Sequence, residues 1–298
     1  AMKHERFISW ILATPWALMP ERMAAYATII ARKQASDHDE AFGDGPVAAA
    51  PARRGGNRSG AIAVIPVYGP IFERSSQIGM CEEGTSAQAV HNALADANAD
   101  DSVSQILMDF STPGGSVYGV QEVSAEIARS KKPVIGIANS LAASAGYWML
   151  SQCSEAYITP GGEVGSIGVW TAHQDVSKAL EDAGIKITLI SAGEFKVEGN
   201  PYAPLGDQAQ AFMQSRIDNY YGAFTRAVAR GRKVSVDQVR SDMGKGRVYG
   251  ADQAKAAGMV DGIATFDQVI ANMQKSIKAS APRASRLASA QRDIAIMG

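Results

Sequence analysis

Two stretches of this chain share one pattern. Ile106-Leu107-Met108-Asp109-Phe110 is a short apolar run that passes through Ser111-Thr112-Pro113-Gly114-Gly115-Ser116 into a helical pattern from Val117. Pro133-Val134-Ile135-Gly136-Ile137-Ala138 leads to Leu141-Ala142-Ala143-Ser144-Ala145-Gly146 and then to Tyr147-Trp148. Each reads as a buried strand, a turn of small residues and the apolar start of a helix. The pattern continues along the chain. Strands are expected near 61–70, 104–110, 133–138, 155–159 and 187–191, and helices over 86–98, 117–130, 141–153, 174–184 and 207–230. Such alternation predicts an α/β architecture with βα crossovers.

The junctions carry chemistry-bearing residues. Ser144 is placed at a helix N-terminus, where the dipole favours negative charge and first-turn N–H groups can hold an oxyanion. A small-residue turn of this kind is also ordinary packing, so the surrounding residues decide. Gly114 and Gly115 let a backbone N–H point into a cavity with no Cβ in the way; their bland reading is a tight turn. Downstream stand Gly165-Ser166-Ile167-Gly168-Val169 and Gly193-Glu194-Phe195-Lys196-Val197-Glu198-Gly199. A Lys in such a loop is usually solvated. Placed in an apolar setting, which Phe195 and Tyr202 are expected to supply, its amine serves as a general base.

Composition narrows the function classes. With 29 basic and 30 acidic residues the net charge is −1, and no basic stripe points to nucleic acid. The 2 cysteines, Cys81 and Cys153, make no disulfide framework and lack metal-ligand spacing. No dinucleotide, Walker or metal-ligating motif is present, so no cofactor and no metal are expected. Among the 4 histidines only His173, downstream of Ser144, is an alternative base.

The N-terminal 35 residues read as a helical extension, with short helices over 7–32 and Pro20-Glu21-Arg22 as a helix start. Pro15, Glu21 and Arg22 argue against a signal peptide, and the apolar run is too short to span a bilayer, so no membrane anchor is expected. Residues 36–60 read as a flexible linker, 61–272 as the main domain and 273–298 as a disordered tail.

Taken in order, Pro113-Gly114-Gly115, Ala143-Ser144-Ala145-Gly146-Tyr147, Gly165-Ser166-Ile167-Gly168-Val169, Gly193-Glu194-Phe195-Lys196 and Gly246-Arg247-Val248-Tyr249-Gly250 resemble the signal peptide peptidase A (protease IV) family of serine peptidases. The likeness covers roughly residues 60 to 270, and Ala145 departs from the glycine usual there. Trp16-Ala17-Leu18-Met19-Pro20-Glu21 resembles the opening segment of the family's phage head-maturation branch. The resemblance implies a Clp-protease-like/crotonase-like superhelix of repeated ββα units. It implies Ser144 as nucleophile, Lys196 as general base and Ser166 as the group orienting the lysine. It further implies an oxyanion hole from the Gly115 and Ala145 N–H groups, with Gly114 and Gly165 lining the substrate site. The function so implied is a cytoplasmic Ser–Lys endopeptidase in procapsid maturation. The resemblance likewise implies scaffold or capsid proteins and the chain itself as substrates, and a homo-oligomer that encloses the site. A signal-peptide-peptidase-like cytoplasmic protease, a crotonase-type acyl-CoA enzyme and a non-catalytic capsid component are the alternatives.

Overall fold

Strand β2 (Ala61–Tyr68) runs parallel to the next long strand of the main sheet, β5 (Val103–Thr112), placing Ile65 against Met108 and Val67 against Phe110. The structure, a computed structural model, describes residues 14–20, 23, 61–74 and 84–280. In chain order its strands are β1 (Trp16–Leu18), β2, β3 (Ile71–Phe72), β4 (Thr85–Ser86), β5 (Val103–Thr112), β6 (Gly114–Ser116), β7 (Val134–Ala143), β8 (Glu155–Ile158), β9 (Glu163–Gly165), β10 (Val248–Gly250) and β11 (Gly262–Ile263). Helices Ala87–Ala99, Val120–Ala128, Ala145–Leu150, Ser177–Asp182, Asp207–Arg232, Val236–Asp242, Ala251–Ala256 and Phe266–Ser280 alternate with them.

The main sheet follows the order β10-β9-β7-β5-β2, with β8 also on β7 and β11 on β8. Every pairing in it is parallel except β10–β9. This is the mixed α/β architecture expected from the alternation of elements. Strands in such a sheet are covered on both faces, and β5 shows it in its middle, where Ile106, Leu107 and Met108 are consecutive apolar residues. Ile106, Met108 and Phe110 enter the principal core, while Leu107 enters a second core with Ile135 and Ile137. The helix Phe266–Ser280 closes that second core with Val269, Met273 and Ile277.

A dislocation in β7 creates the site. Its first half pairs with β8, Ile135 opposite Glu155 through Ala138 opposite Ile158. Its second half pairs with β9, Leu141 opposite Glu163 through Ala143 opposite Gly165. Between the halves lie Asn139 and Ser140, the latter at φ 127°, and the register against β5 slips at the same point. A second, four-stranded sheet, β1-β6-β3-β4, meets the first where β5 passes into β6.

Three expectations are corrected. Trp16–Leu18 is a strand, not part of a helix, because neighbouring segments supply backbone bonds along both its edges. Residues 187–191 form no strand; Ile187, Leu189 and Ile190 are exposed, and no strand among the described residues pairs with them. The last helix runs past Asn272 to Ser280, since Met273 and Ile277 are apolar anchors at helical spacing within the stretch read as tail. The linker 36–60, the rest of the N-terminal extension and the chain after Ser280 lie outside the described residues.

Candidate active site

Ser144 stands between the end of β7 and the helix Ala145–Leu150, at φ 54° and ψ −115°. A non-glycine residue in such a region costs about 1–3 kcal/mol and persists only where its surroundings over-determine it. Here both backbone groups are tied: the Ser144 N–H donates to the Gly165 carbonyl at 2.7 Å, and its carbonyl accepts from the Trp148 N–H at 2.9 Å. The side chain makes no capping bond, and its closest polar partner is the Gly168 carbonyl at 3.5 Å, the outer limit of hydrogen bonding. The residue is 1% exposed. A sharp, strained strand-to-helix turn that leaves a hydroxyl uncommitted is the geometry that presents a nucleophile.

The helix behind Ser144 is short and held by its neighbours. The Tyr147 hydroxyl donates to the Met259 carbonyl at 3.0 Å, and burial pushes that phenol's pKa up. Trp148 stacks on Phe224 of the helix Asp207–Arg232, with ring centroids 4.6 Å apart and planes 5° apart. Gln152 Nε2 donates to the Ala227 carbonyl at 3.0 Å. The long helix comes so close that a Cβ on Gly231 would lie 1.9 Å from the Ser151 carbonyl oxygen, so only glycine fits there.

The two predicted glycines sit on β6 beside the serine. Gly114, at φ 99°, has no room for a side chain: a Cβ there would lie 2.8 Å from Ser144 Cβ and 2.2 Å from the Ala17 carbonyl oxygen. Its N–H donates to Thr112 Oγ1 at 3.1 Å. Gly115 packs equally tightly on Ile71, whose carbonyl oxygen would lie 1.9 Å from an added Cβ. Ser166 is 7% exposed, sits at φ 53° and anchors its N–H on the Arg247 carbonyl at 2.8 Å. It follows directly on Gly165, whose carbonyl holds the Ser144 N–H. The fold thus gathers Ser144, Ala145, Gly114, Gly115, Gly165 and Ser166 around the junction of the two sheets.

Lys196 is not gathered with them. It is exposed, in a turn closed by its own N–H on the Gly193 carbonyl at 3.1 Å. Among the described residues its amine makes no hydrogen bond to Ser144 or Ser166. Phe195 and Tyr202, expected to bury it, are themselves 51% and 43% exposed. His173 turns its Nε2 to the Asn200 carbonyl at 3.0 Å and is not bonded to Ser144.

Sequence reading missed the part played by Gly168, Trp170 and β1 beside Ser144. The apolar run Trp16-Ala17-Leu18 was the available signal, but it carries no periodicity that separates strand from helix. No group of acidic, His or Cys side chains arranged to hold a metal occurs among the described residues, and no helix there is long and apolar enough to cross a membrane.

The profile of peptidase family S49 matches residues 126–280. The capsid assembly protease C of Escherichia phage lambda is 35% identical over 226 residues, 75% of this chain and 51% of that protein. The head-tail preconnector protein GP5 of Enterobacteria phage P21 is 31% identical over 221 residues, 74% of this chain and 44% of that protein. Protease 4 of Salmonella typhi is 29% identical over 222 residues, 74% of this chain and 35% of that protein. The chain spans about half the length of the two phage relatives.

Proposed function

The chain belongs to peptidase family S49, and from that premise we propose that it is a serine endopeptidase in which Ser144 attacks the substrate carbonyl. The observation that carries this is the strained Ser144 turn with its uncommitted hydroxyl. In the proposed reaction Ser144 Oγ adds to the scissile carbonyl carbon while the Lys196 amine takes its proton. The Gly115 and Ala145 N–H groups stabilise the oxyanion, and Gly114 and Gly165 line the substrate backbone. The resulting ammonium then protonates the leaving amine, and water releases the acyl group. Ser166 orients the lysine by a hydrogen bond.

A lysine base must be neutral to act, and an apolar setting favours the neutral amine. The exposed apolar side chains Ile185, Ile187, Leu189 and Ile190, the last 95% exposed, lie in the same segment as Lys196. Packing of this segment on a further copy of the chain would bury both them and the lysine, which supports a homo-oligomer as the working form. The parallel sheet with its dislocated β7 is compatible with the Clp/crotonase-like superhelix. Similarity to the capsid assembly protease of phage lambda supports a role in procapsid maturation in the host cytoplasm, with scaffold or capsid proteins and the chain itself as substrates.

The test is labelling by a serine-reactive fluorophosphonate, together with mass spectrometry of fragments from an unfolded protein substrate. Wild type is expected to label at Ser144 and to cut, while Ser144→Ala and Lys196→Ala do neither. A Lys196→Ala variant as active as wild type would remove the dyad, and its replacement in that role by His173 would show as a dead His173→Ala.

A further inference from the structure

β1 lies in a slot between two segments that flank Ser144. On one edge it runs antiparallel to β6, with Trp16 opposite Ser116, Ala17 opposite Gly115 and Leu18 opposite Gly114. On the other edge the Trp16 N–H donates to the Trp170 carbonyl at 2.8 Å, and the Trp170 N–H donates back at 2.9 Å. The Trp170 indole N–H also donates to the Leu18 carbonyl at 2.8 Å. The ladder with β6 extends at both ends: the Met19 N–H donates to the Pro113 carbonyl at 3.2 Å, and the Val117 N–H to the Pro15 carbonyl at 3.3 Å. Hydrogen-bonded pairs alternate along an antiparallel ladder, so these flanking bonds make Ala17 and Gly115 a bonded pair, with the Gly115 N–H facing the Ala17 carbonyl.

That carbonyl is also beside the serine. The Ala17 oxygen and Ser144 Cβ converge on one point, 2.2 Å and 2.8 Å from where a Gly114 Cβ would be. An extended backbone, paired on both edges, with one carbonyl against the nucleophile and an oxyanion donor, is the arrangement a peptidase imposes on a peptide. The side chains sort by face. Trp16 and Leu18 are buried together with Met23 against Trp170, and Ala17 is buried in the principal core.

We propose that β1 occupies the peptide groove of this site as an intramolecular strand, so that a substrate enters only when Thr14–Met19 has left it. The inference rests on the peptidase reading and deepens it. It also assigns the class of segment the groove takes: an extended stretch with a small residue opposite Gly115, its carbonyl beside Ser144, and large apolar residues on either side of it. The occupied groove is self-inhibited, and displacement of β1 is the step that activates it.

The test measures the rate of fluorophosphonate labelling at Ser144 in the full chain. Leu18→Asp puts a carboxylate among Trp16, Met23 and Trp170 and is expected to free β1 while leaving Ser144, Lys196 and the other groups assigned to the site unaltered. If β1 leaves the wild-type groove about one-tenth of the time, the freed variant labels about tenfold faster. A second variant, Trp16→Cys with Ser116→Cys in a Cys81→Ser background, uses a non-hydrogen-bonded pair whose side chains are close enough for a disulfide. Its oxidised form is expected to label at least about tenfold more slowly than its reduced form. A peptide of sequence Thr-Pro-Trp-Ala-Leu-Met should slow labelling of the freed chain, and a scrambled peptide should not. Should Leu18→Asp fail to fold by circular dichroism, the cysteine pair decides alone. Equal labelling of its oxidised and reduced forms, with wild type also reactive, overturns the inference and leaves the peptidase reading standing. Absence of labelling in every form overturns the peptidase reading and the inference with it.

Discussion

Replacing Ser144 by glycine should remove the proposed activity without the loss of stability that a buried glycine ordinarily brings. The fair comparison is Ser144→Gly against Ser144→Ala, because both lack the hydroxyl and both should be inactive. Alanine keeps the strain of φ 54° and ψ −115°, whereas glycine adopts that region freely. Relief is about 2 kcal/mol, the middle of the range for such positions. Against it stand about 0.8 kcal/mol for one buried methyl group and about 0.7 kcal/mol for the extra freedom of an unfolded glycine. The balance favours glycine by about 0.5 kcal/mol, where the same exchange at an unstrained buried position would disfavour it by about 1.5 kcal/mol. Urea denaturation followed by tryptophan fluorescence resolves a difference of that size. In thermal melting the contrast between the two cases is about 4–8 °C, taking about 2–4 °C per kcal/mol for a domain of this scale. A glycine variant less stable than the alanine variant by more than about 1 kcal/mol would mean that the turn is not strained, and the argument from strain to nucleophile would fall.

Three further outcomes are expected. Tyr147→Phe removes the donor to the buried Met259 carbonyl and should cost about 1–3 kcal/mol in urea unfolding; a neutral result would show that the carbonyl finds another partner. Asp261 accepts from Arg232 Nη1 at 3.0 Å and Nη2 at 2.8 Å and from the Ala156 N–H at 2.7 Å. Burial raises this carboxyl's pKa, but the Arg232 fork and the Ala156 N–H outweigh burial and hold it below the ordinary carboxylate range. Asp261→Asn should therefore cost about 1–2 kcal/mol at neutral pH, less than a fully buried pair because the aspartate is 43% exposed. A depressed folded pKa stabilises above the unfolded value, so the gap between wild type and Asp261→Asn should close as pH falls below about 4; a gap that persists there would refute the assignment. Ser166→Ala should slow peptidase turnover by about ten- to a thousandfold and shift its pH profile, and an unchanged profile would remove Ser166 from the site.

What the sequence determined by itself was local. Apolar runs such as 106–108 and 134–138 are strands because a stretch that must be buried on both faces shows it at successive residues. The turn positions of Ser144 and Gly114 were legible because each follows such a run, where small residues mark a turn. The βα alternation then follows, since each buried strand needs a helix to cover it. Tertiary structure decided the rest, because the groups concerned are brought together by pairing rather than by spacing. Met273 and Ile277 became part of the domain only through Leu107, Ile135 and Ile137, which offer them a second apolar face. Nothing in Phe195-Lys196-Val197 announces whether the amine is buried; that depends on what packs over the segment, and here Phe195, Lys196 and Tyr202 all stand exposed. Trp16-Ala17-Leu18 is a strand only because β6 and Trp170 lend it two edges. Three residues have too few internal hydrogen bonds to choose a conformation, so the choice belongs to the segments across from them, nearly a hundred positions or more away in the chain.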